Sequence, residues 1–487
     1  MMSSTGNQAD VHGDHADVIV LGVGTCGEDL SLQLLDAGLD VVGIEAALVG
    51  GTCPFYGCLP SKIMIRASNL LKEADRVKSM SGQSSISSNW NQVAGLVRQL
   101  TGGWNDEGAV ERYEMRGGRL IHGQGKLTGP RTVTVGDKSF TARKGVVIAT
   151  GAKPVIPPVS GLEKVNYWTT DDIIKAEKLP RSIVILGGGA IGCELGQVLA
   201  RFGTKVTIVE LGDRLLGFEE PEASETVERA FADDGIKVLK GVKAKEVESR
   251  GNSIITRLDD GVELSSERLV FATGRKPDLT NLGLESIGLG SSAKFIEVDE
   301  RMRAADGIWA MGDVTGKGMF THVALYQSAI IAADILGRMH PPAEYHSVPL
   351  VTFTDPEVGS VGLTESAARN ADFDVVAVTK QVTSTLRGIL HGANSGIIKL
   401  VINRKTGTLV GATATGPPGG EILGLLTLAV HASIPLTKLR SMIFAFPTFT
   451  GGIGEAIGAY GRGVTTVLDP EYTGLKELDE LITDLED

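Results

Sequence analysis

ADVIVLGVGTCGEDLSLQLLDAGLDVVGIE, residues 16–45, decides the fold. It reads as an apolar strand, a glycine-rich turn, an amphipathic helix and a second strand that ends in an acid. Gly22 admits the tight turn, Gly24 lets the backbone approach a pyrophosphate, and Gly27 permits close packing of helix on strand. Glu45 stands where it can accept from a ribose hydroxyl. A lone G-x-G-x-x-G says little, and a packing turn without a ligand is the competing reading. Strand, turn, helix and acid in this order make a dinucleotide-binding βαβ unit.

The design recurs in RSIVILGGGAIGCELGQVLARFGTKVTIVEL, residues 181–211, with Gly187, Gly189 and Gly192 in the turn and Glu210 closing the second strand. Two such units imply two dinucleotides. A carboxylate at the second site repels a 2′-phosphate, so NADH is expected over NADPH, although Arg214 lies close enough in sequence to soften that preference. Two further segments echo each other, VVIATGAKP (146–154) and LVFATGRKP (269–277), each a buried strand running into Thr-Gly as if the chain crossed between nucleotide domains. In GIWAMGDV (307–314), Asp313 could accept from a flavin ribityl hydroxyl or cap a turn. Apolar spacing predicts helices from residue 63 to about 118, broken by a loop near SMSGQSSISSN, and strands dominate from Pro349 onward.

The chain's 487 residues are too many for one core and predict two to four domains. Its 63 glycines and 5% aromatics suit an α/β fold rich in tight turns. The net charge is −12, but residues 469–487 hold eight carboxylates against one lysine, or −7 of that total. No basic stripe exists, which argues against nucleic acid as partner. No apolar run is long enough to span a membrane, and residues 1–16 lack the core of a secretion signal. A cytoplasmic protein is expected. Four cysteines in so long a chain are no disulfide framework.

Together, GGTC…GC.PSK after the first unit, a second G-x-G-x-x-G with Glu194 just past it, ATGRKPD, MGDV followed by THVA, and TDPEVGSVGLTE resemble the class I flavoprotein disulfide reductases. The likeness runs from about Ala16 to about Glu455. It implies a homodimer, FAD, NADH or NADPH, and an α/β architecture of two Rossmann-like domains with a C-terminal α+β dimerisation domain. The expected division is a disordered start (1–15), the first part of the FAD domain (16–152), the NAD(P) domain (153–275), the second part of the FAD domain (276–346), the dimerisation domain (347–468) and an acidic tail (469–487). The resemblance further implies cofactor contacts at Gly51, Thr52, Thr150, Gly151, Val323 and Ala324, and at Ile191 and Gly274.

Cys53 and Cys58 lie five positions apart, in GGTCPFYGCLPSK (50–62). In an undistorted helix that spacing is about 7.5 Å of rise, too far for a disulfide. Pro54 suits a first turn, whereas Pro60 lacks the amide a helix interior needs, and Gly57 between them adds freedom, so a bent backbone could close the gap. A metal clip needs three or four ligands, and no further Cys or His is near in sequence. A pair of inert buried thiols is the other alternative. The resemblance favours a redox couple, with Cys58 facing the flavin and Cys53 exchanging with substrate. It also pairs Lys62 with Glu194, each of which could equally be a surface charge. Cys26 and Cys193, inside the glycine turns, read as small packing residues.

One motif departs from the family. The usual HPTxxE, a histidine base oriented by a glutamate and reaching the other subunit's cysteines, is here FPTFTG, with Phe446 for the histidine and Gly451 for the glutamate. No histidine follows His431, and Glu455 has no imidazole to orient. Losing general acid–base help costs roughly 10² to 10⁴ in rate. The expected function is therefore an NAD(P)H-dependent flavoprotein oxidoreductase acting on a small-molecule disulfide, quinone or metal ion that needs little proton transfer. Thioether cleavage like that of the 2-ketopropyl coenzyme M oxidoreductase/carboxylase branch is one alternative, and a non-catalytic redox sensor another. Phe55, Tyr56, His391 and His431 are candidates for the substrate pocket.

Overall fold

The computed structural model describes residues 14–290, 293–393, 395–463 and 466–467. The expected disordered start, up to residue 13, and the acidic tail from residue 469 lie outside the described residues. The chain divides into two compact units, one of residues 1–63, 94–155 and 274–345, the other of residues 64–93, 156–273 and 346–487. The cut at 155/156 falls just past the first echoing Thr-Gly segment and the cut at 273/274 falls between Thr273 and Gly274 of the second, where Lys153–Pro154 pairs antiparallel with Arg275–Lys276.

In the first unit, β1 (His15–Leu21) runs parallel to β2 (Val41–Glu45) and to the strand Lys138–Ile148, with Ile19 facing Val42 on one side and Val146 on the other. β1 begins at His15, one residue earlier than the expected domain boundary. Its unbroken apolar run has the cause expected of a parallel sheet covered on both faces. Alternate residues go to opposite sides: Ile19, Leu21 and Ile148 pack with Leu127 and Leu279, whereas Val18, Val20 and Val147 pack with Leu30, Leu34 and Ile331 of covering helices. The helix α1 (Thr25–Asp36) follows β1 directly. After β2 come the short α2 (Thr52–Phe55) and the 23-residue α3 (Cys58–Met80). The expected break in the helical region falls between Met80 and the next helix, Trp90–Leu100.

The second unit holds a five-stranded parallel sheet around Ser182–Leu186 and Lys205–Glu210, a three-stranded antiparallel sheet (Ala244–Ser266), and a six-stranded sheet formed largely from residues 349–416. The last packs Leu400, Ile402 and Ala414 against Leu423 and Leu426 of the helix Gly419–His431 and Ile453 and Ile457 of the helix Gly451–Gly461. No described helix is long and apolar enough to cross a membrane.

Candidate active site

The cysteine segment starts from two glycines that no side chain could replace. Gly50 and Gly51 hold φ of 98° and 70°, and a Cβ on Gly51 would lie 2.7 Å from the Cα of Gly24. From Gly51 the chain turns into α2, stops at Tyr56, and starts again at Cys58. Pro54 sits inside the short α2 and Pro60 in the first turn of α3, where its missing amide costs no helical bond. Pro60 thus opens a helix instead of interrupting one. Gly57 contributes room more than rotation: a Cβ there would stand 3.1 Å from the carbonyl oxygen of Thr52 and 3.4 Å from the Cα of Cys53.

This bend brings the two sulfurs together. Cys53 is half-buried and Cys58 exposed. They share a hydrogen bond that divides their acidity. Donation from Cys53, against the opposing effect of burial, and then contributions from Thr321, Lys62 one turn along α3 and the helix backbone bring Cys58 down to about 6. The same bond and burial push Cys53 well above an ordinary thiol, with Thr321 and Thr25 pulling the other way. The Thr321 hydroxyl lies 3.3 Å from the Cys58 sulfur. Cys26 touches the Thr321 carbonyl oxygen at 3.9 Å, and burial lifts its thiol to about 12. Phe55 is buried and offers its carbonyl to Trp104 at 3.1 Å, which removes its side chain from any open pocket.

The two glycine turns are built alike. A Cβ on Gly22 would meet the Ala149 oxygen at 2.5 Å, and Gly187 stands in the same relation to Ala272. Gly27 and Gly192 each press on the carbonyl oxygen of the first glycine of their turn. Gly24 and Gly189 take the N-cap positions in extended backbone, and neither helix has a side-chain cap, so the first-turn amides and the positive helix end face outward for an anion. Glu45 accepts from the amides of Val23 at 2.7 Å and Ala47 at 2.8 Å, while Glu210 accepts from Gly188 at 2.5 Å and Gly212 at 2.6 Å. Burial raises the Glu45 carboxyl despite those amides. Ile191 presents an exposed apolar side chain on the first turn of its helix. Buried Cys193 bonds the Gly188 carbonyl oxygen at 3.3 Å, and burial lifts its thiol well above the ordinary value.

The remaining candidate positions of the first unit lie at a strand end, in a turn and on a helix. Thr150 and Gly151 follow the strand Lys138–Ile148, with Gly151 at φ 68°. Gly274, at φ 101°, accepts from the Val155 amide at 2.9 Å. Asp313 lies in the turn Gly312–Thr315, its carboxyl raised by burial while Arg275 acts in the opposite sense. Val323 and Ala324 are buried in the helix Thr321–Ile335. These residues fit a dinucleotide carrying a flavin: close-approach glycines, an uncapped helix end, a carboxylate for a ribose, and a second acid, Asp313, whose carboxyl burial raises.

Glu194 belongs to the second unit and is no surface charge, being only 5% exposed. It shares one face of the helix Ala190–Arg201 with Gln197 and Arg201, three and seven residues on. Glu194 accepts from the Phe353 amide at 2.9 Å, Gln197 exchanges two bonds with the Asp355 backbone at 2.8 and 2.9 Å, and Arg201 pairs with the Asp355 carboxylate at 2.9 Å. Arg214 is engaged with the carbonyl oxygens of Gly217 and Glu219 at 2.8 and 3.4 Å and with Asp213.

Phe446, also in the second unit, is 79% exposed. Glu455 pairs with Lys380 at 3.0 Å, which gives it the cationic partner sequence reasoning left unassigned. His391 packs edge-on against Phe449, and His431 bonds Ser347 at 3.0 Å and stacks on His346. Among the described residues no group of three or more His, Cys, Asp or Glu side chains could hold a metal ion. Sequence reasoning missed Thr321 and Thr25. Thr321 opens the THVA run, but nothing local signals a partner 263 residues away.

A family model described as pyridine nucleotide-disulphide oxidoreductase matches residues 16–328, and the dimerisation domain of the same family matches residues 348–457. Mercuric reductase of Staphylococcus aureus is 30% identical over 463 residues, 93% of this chain and 84% of that protein. Dihydrolipoyl dehydrogenase of Mycobacterium leprae is 33% identical over 462 residues, 91% and 97% respectively. Among solved structures, the HOCl-induced flavoprotein disulfide reductase RclA of Escherichia coli superposes with a TM-score of 0.81 at 26% identity, covering 91% of this chain and 99% of RclA. LpdA of Mycobacterium tuberculosis gives the same score and coverage at 25% identity.

Proposed function

Since this chain belongs to the pyridine nucleotide-disulphide oxidoreductases, dimerisation domain included, we propose that it is a FAD-dependent NADH oxidoreductase whose Cys53 and Cys58 form a redox couple. It works as a cytoplasmic homodimer on a small-molecule disulfide, quinone or metal ion that demands little proton transfer. The observation that carries the reading is the division of acidity between the two thiols, one near 6 and its neighbour far above it.

FAD and NADH, when bound, supply the two-electron transfer. The chain supplies the rest. The uncapped helix ends at Gly24 and Gly189 receive pyrophosphates, and Glu45 and Glu210 receive riboses. Arg214 is committed to its own loop, so the second ribose site presents a carboxylate, which supports NADH over NADPH. Closing the disulfide removes two electrons and two protons from the pair. Cys58 has already lost its proton above pH 6, so only the Cys53 proton must leave, and the hydroxyls of Thr25 and Thr321 are beside it. Phe446 supplies no proton, in keeping with an acceptor that requires none at sulfur.

The same exposed Phe446 favours a second reading, thioether cleavage with a carbanion shielded from protons. Alkylation of thiols before and after anaerobic addition of NADH, read by mass spectrometry, tests the first. Cys53 and Cys58 are expected to label together only after NADH. Labelling that NADH leaves unchanged would remove the couple from the electron path. Under the first reading Phe446→His speeds disulfide reduction by roughly 10-fold or more; under the second it suppresses carbanion capture.

A further inference from the structure

Gln327 is fully buried in the helix Thr321–Ile335, whose other buried residues are mostly apolar. Burying an amide is unfavourable unless its oxygen and nitrogen are both bonded, so the partners it meets are informative. They belong to the turn Gly312–Thr315, which carries Asp313. The Gln327 Oε1 accepts from the Gly312 amide at 2.7 Å, and its Nε2 donates to the Tyr345 hydroxyl at 3.0 Å and to the Thr315 hydroxyl at 3.5 Å. The Thr315 hydroxyl in turn donates to the Gly312 carbonyl oxygen at 2.9 Å. Gly312 is thus held at both its amide and its carbonyl. The Tyr345 hydroxyl donates onward to the Met302 sulfur at 3.3 Å, which completes the chain.

The strand Ile308–Ala310 ends just before this turn, where the Met311 amide still donates to the Ile148 carbonyl oxygen. Gly312 then swings away with φ of 75°, and the amide it swings is the one Gln327 receives. The Gly312 carbonyl shares a peptide plane with the Asp313 amide, so fixing Gly312 at both ends fixes the backbone from which the Asp313 carboxylate projects. Bonds in such a closed ring reinforce one another, and losing one leaves a buried group unpaired. The same helix opens at Thr321, whose hydroxyl lies 3.3 Å from the Cys58 sulfur. Six residues separate the contact with the redox sulfur from the contact with the acid's turn, all on one rigid element.

We propose that Gln327 is a positioning residue for flavin binding, acting through Gly312 to aim the Asp313 carboxylate at a ribityl hydroxyl of FAD. The inference deepens the oxidoreductase reading and rests on it, with Asp313 among the flavin contacts.

The rate at which FAD leaves the diluted holoenzyme, followed as the rise of free-flavin fluorescence, tests it. Asp313→Ala is expected to speed release about 10-fold or more. Gln327→Leu, close in size but unable to accept from Gly312, does nearly the same, while Gln327→Glu, which keeps an oxygen for Gly312, stays within about 3-fold of the unaltered enzyme. In the Asp313→Ala background Gln327→Leu adds less than about 2-fold, because a residue that acts through Asp313 has nothing left to aim. Ser328→Ala is the comparison for mere destabilisation. Its hydroxyl is equally buried on the same helix but bonds Asp29 at 2.6 Å and Gln33 at 3.1 Å, away from the turn, so its loss lowers the unfolding temperature and leaves the release rate unchanged. If Gln327→Leu does not fold, Thr315→Val opens the same ring from its other side and speeds release about 3-fold, again only while Asp313 is present.

A release rate that Gln327→Leu or, in its place, Thr315→Val leaves unchanged, a factor that persists in full without Asp313, or an equal acceleration by Ser328→Ala overturns the proposal. Each of these leaves the flavin reading standing so long as Asp313→Ala itself speeds release. Asp313→Ala that holds FAD as firmly as the unaltered enzyme overturns the proposal together with the placing of Asp313, and an unaltered protein that binds no FAD sinks the oxidoreductase reading as well.

Discussion

The two glycine turns share glycines, cap geometry and a terminal glutamate, yet they differ in what lies above them. At the first turn, the Gly50–Gly51 loop closes over Gly24, bridging to it through Gly50 and leaving no room for a Cβ at Gly51. Thr25 adds a bond to the Gly50 carbonyl oxygen at 2.8 Å. At the second turn, no atom of the described residues lies within 4 Å of where a Cβ on Gly189 would be. The first nucleotide site is thus roofed by the segment that carries the cysteines, and the second stays open. Identical turns can serve a resident cofactor and an exchanging one, with the difference written in the following loop.

The sharpest way to break this comparison is to spoil both turns in the same manner. Gly27→Ala and Gly192→Ala each drive a methyl onto a buried carbonyl. Gly27→Ala is expected to cost about 3 kcal/mol or more of stability and to yield protein without flavin. Gly192→Ala is expected to keep its flavin and lose about 10²-fold in kcat/KM for NADH. Flavin content, thermal unfolding and steady-state kinetics check both; equal loss of flavin in the two variants would erase the distinction. A smaller change comes from charge. Glu210→Gln should shift the NADH over NADPH preference about 10-fold towards NADPH, and Glu45→Gln should leave that ratio where it was. The smallest is a titration confined to the roofed site. Cys58 is a thiolate above pH 6 and gains its proton below, so its alkylation rate should rise with pH to a midpoint near 6. Thr321→Ala moves that midpoint upward.

Much of this was legible in the sequence because the spacing that matters is local. Gly22, Gly24, Gly27 and Glu45 announce a turn, a helix and a ribose acceptor within one βαβ unit, and Lys62 follows Cys58 by one helical turn. What was hidden is assembled by tertiary packing. No local pattern places Thr321 beside Cys58, gives Glu194 the Phe353 amide, or sets Arg440 against Gly461. Glu194 in particular reads as a surface charge by type, yet the face it shares with Gln197 and Arg201 buries it.

The bond between Cys58 and Thr321 joins residues made far apart in time as well as in sequence. On the ribosome both cysteines emerge long before residue 321 does. Until that threonine docks, one of the groups holding the proton off Cys58 is missing, and the sulfur is correspondingly less nucleophilic. The acidity of Cys58 therefore matures only when the last segment of the unit is in place.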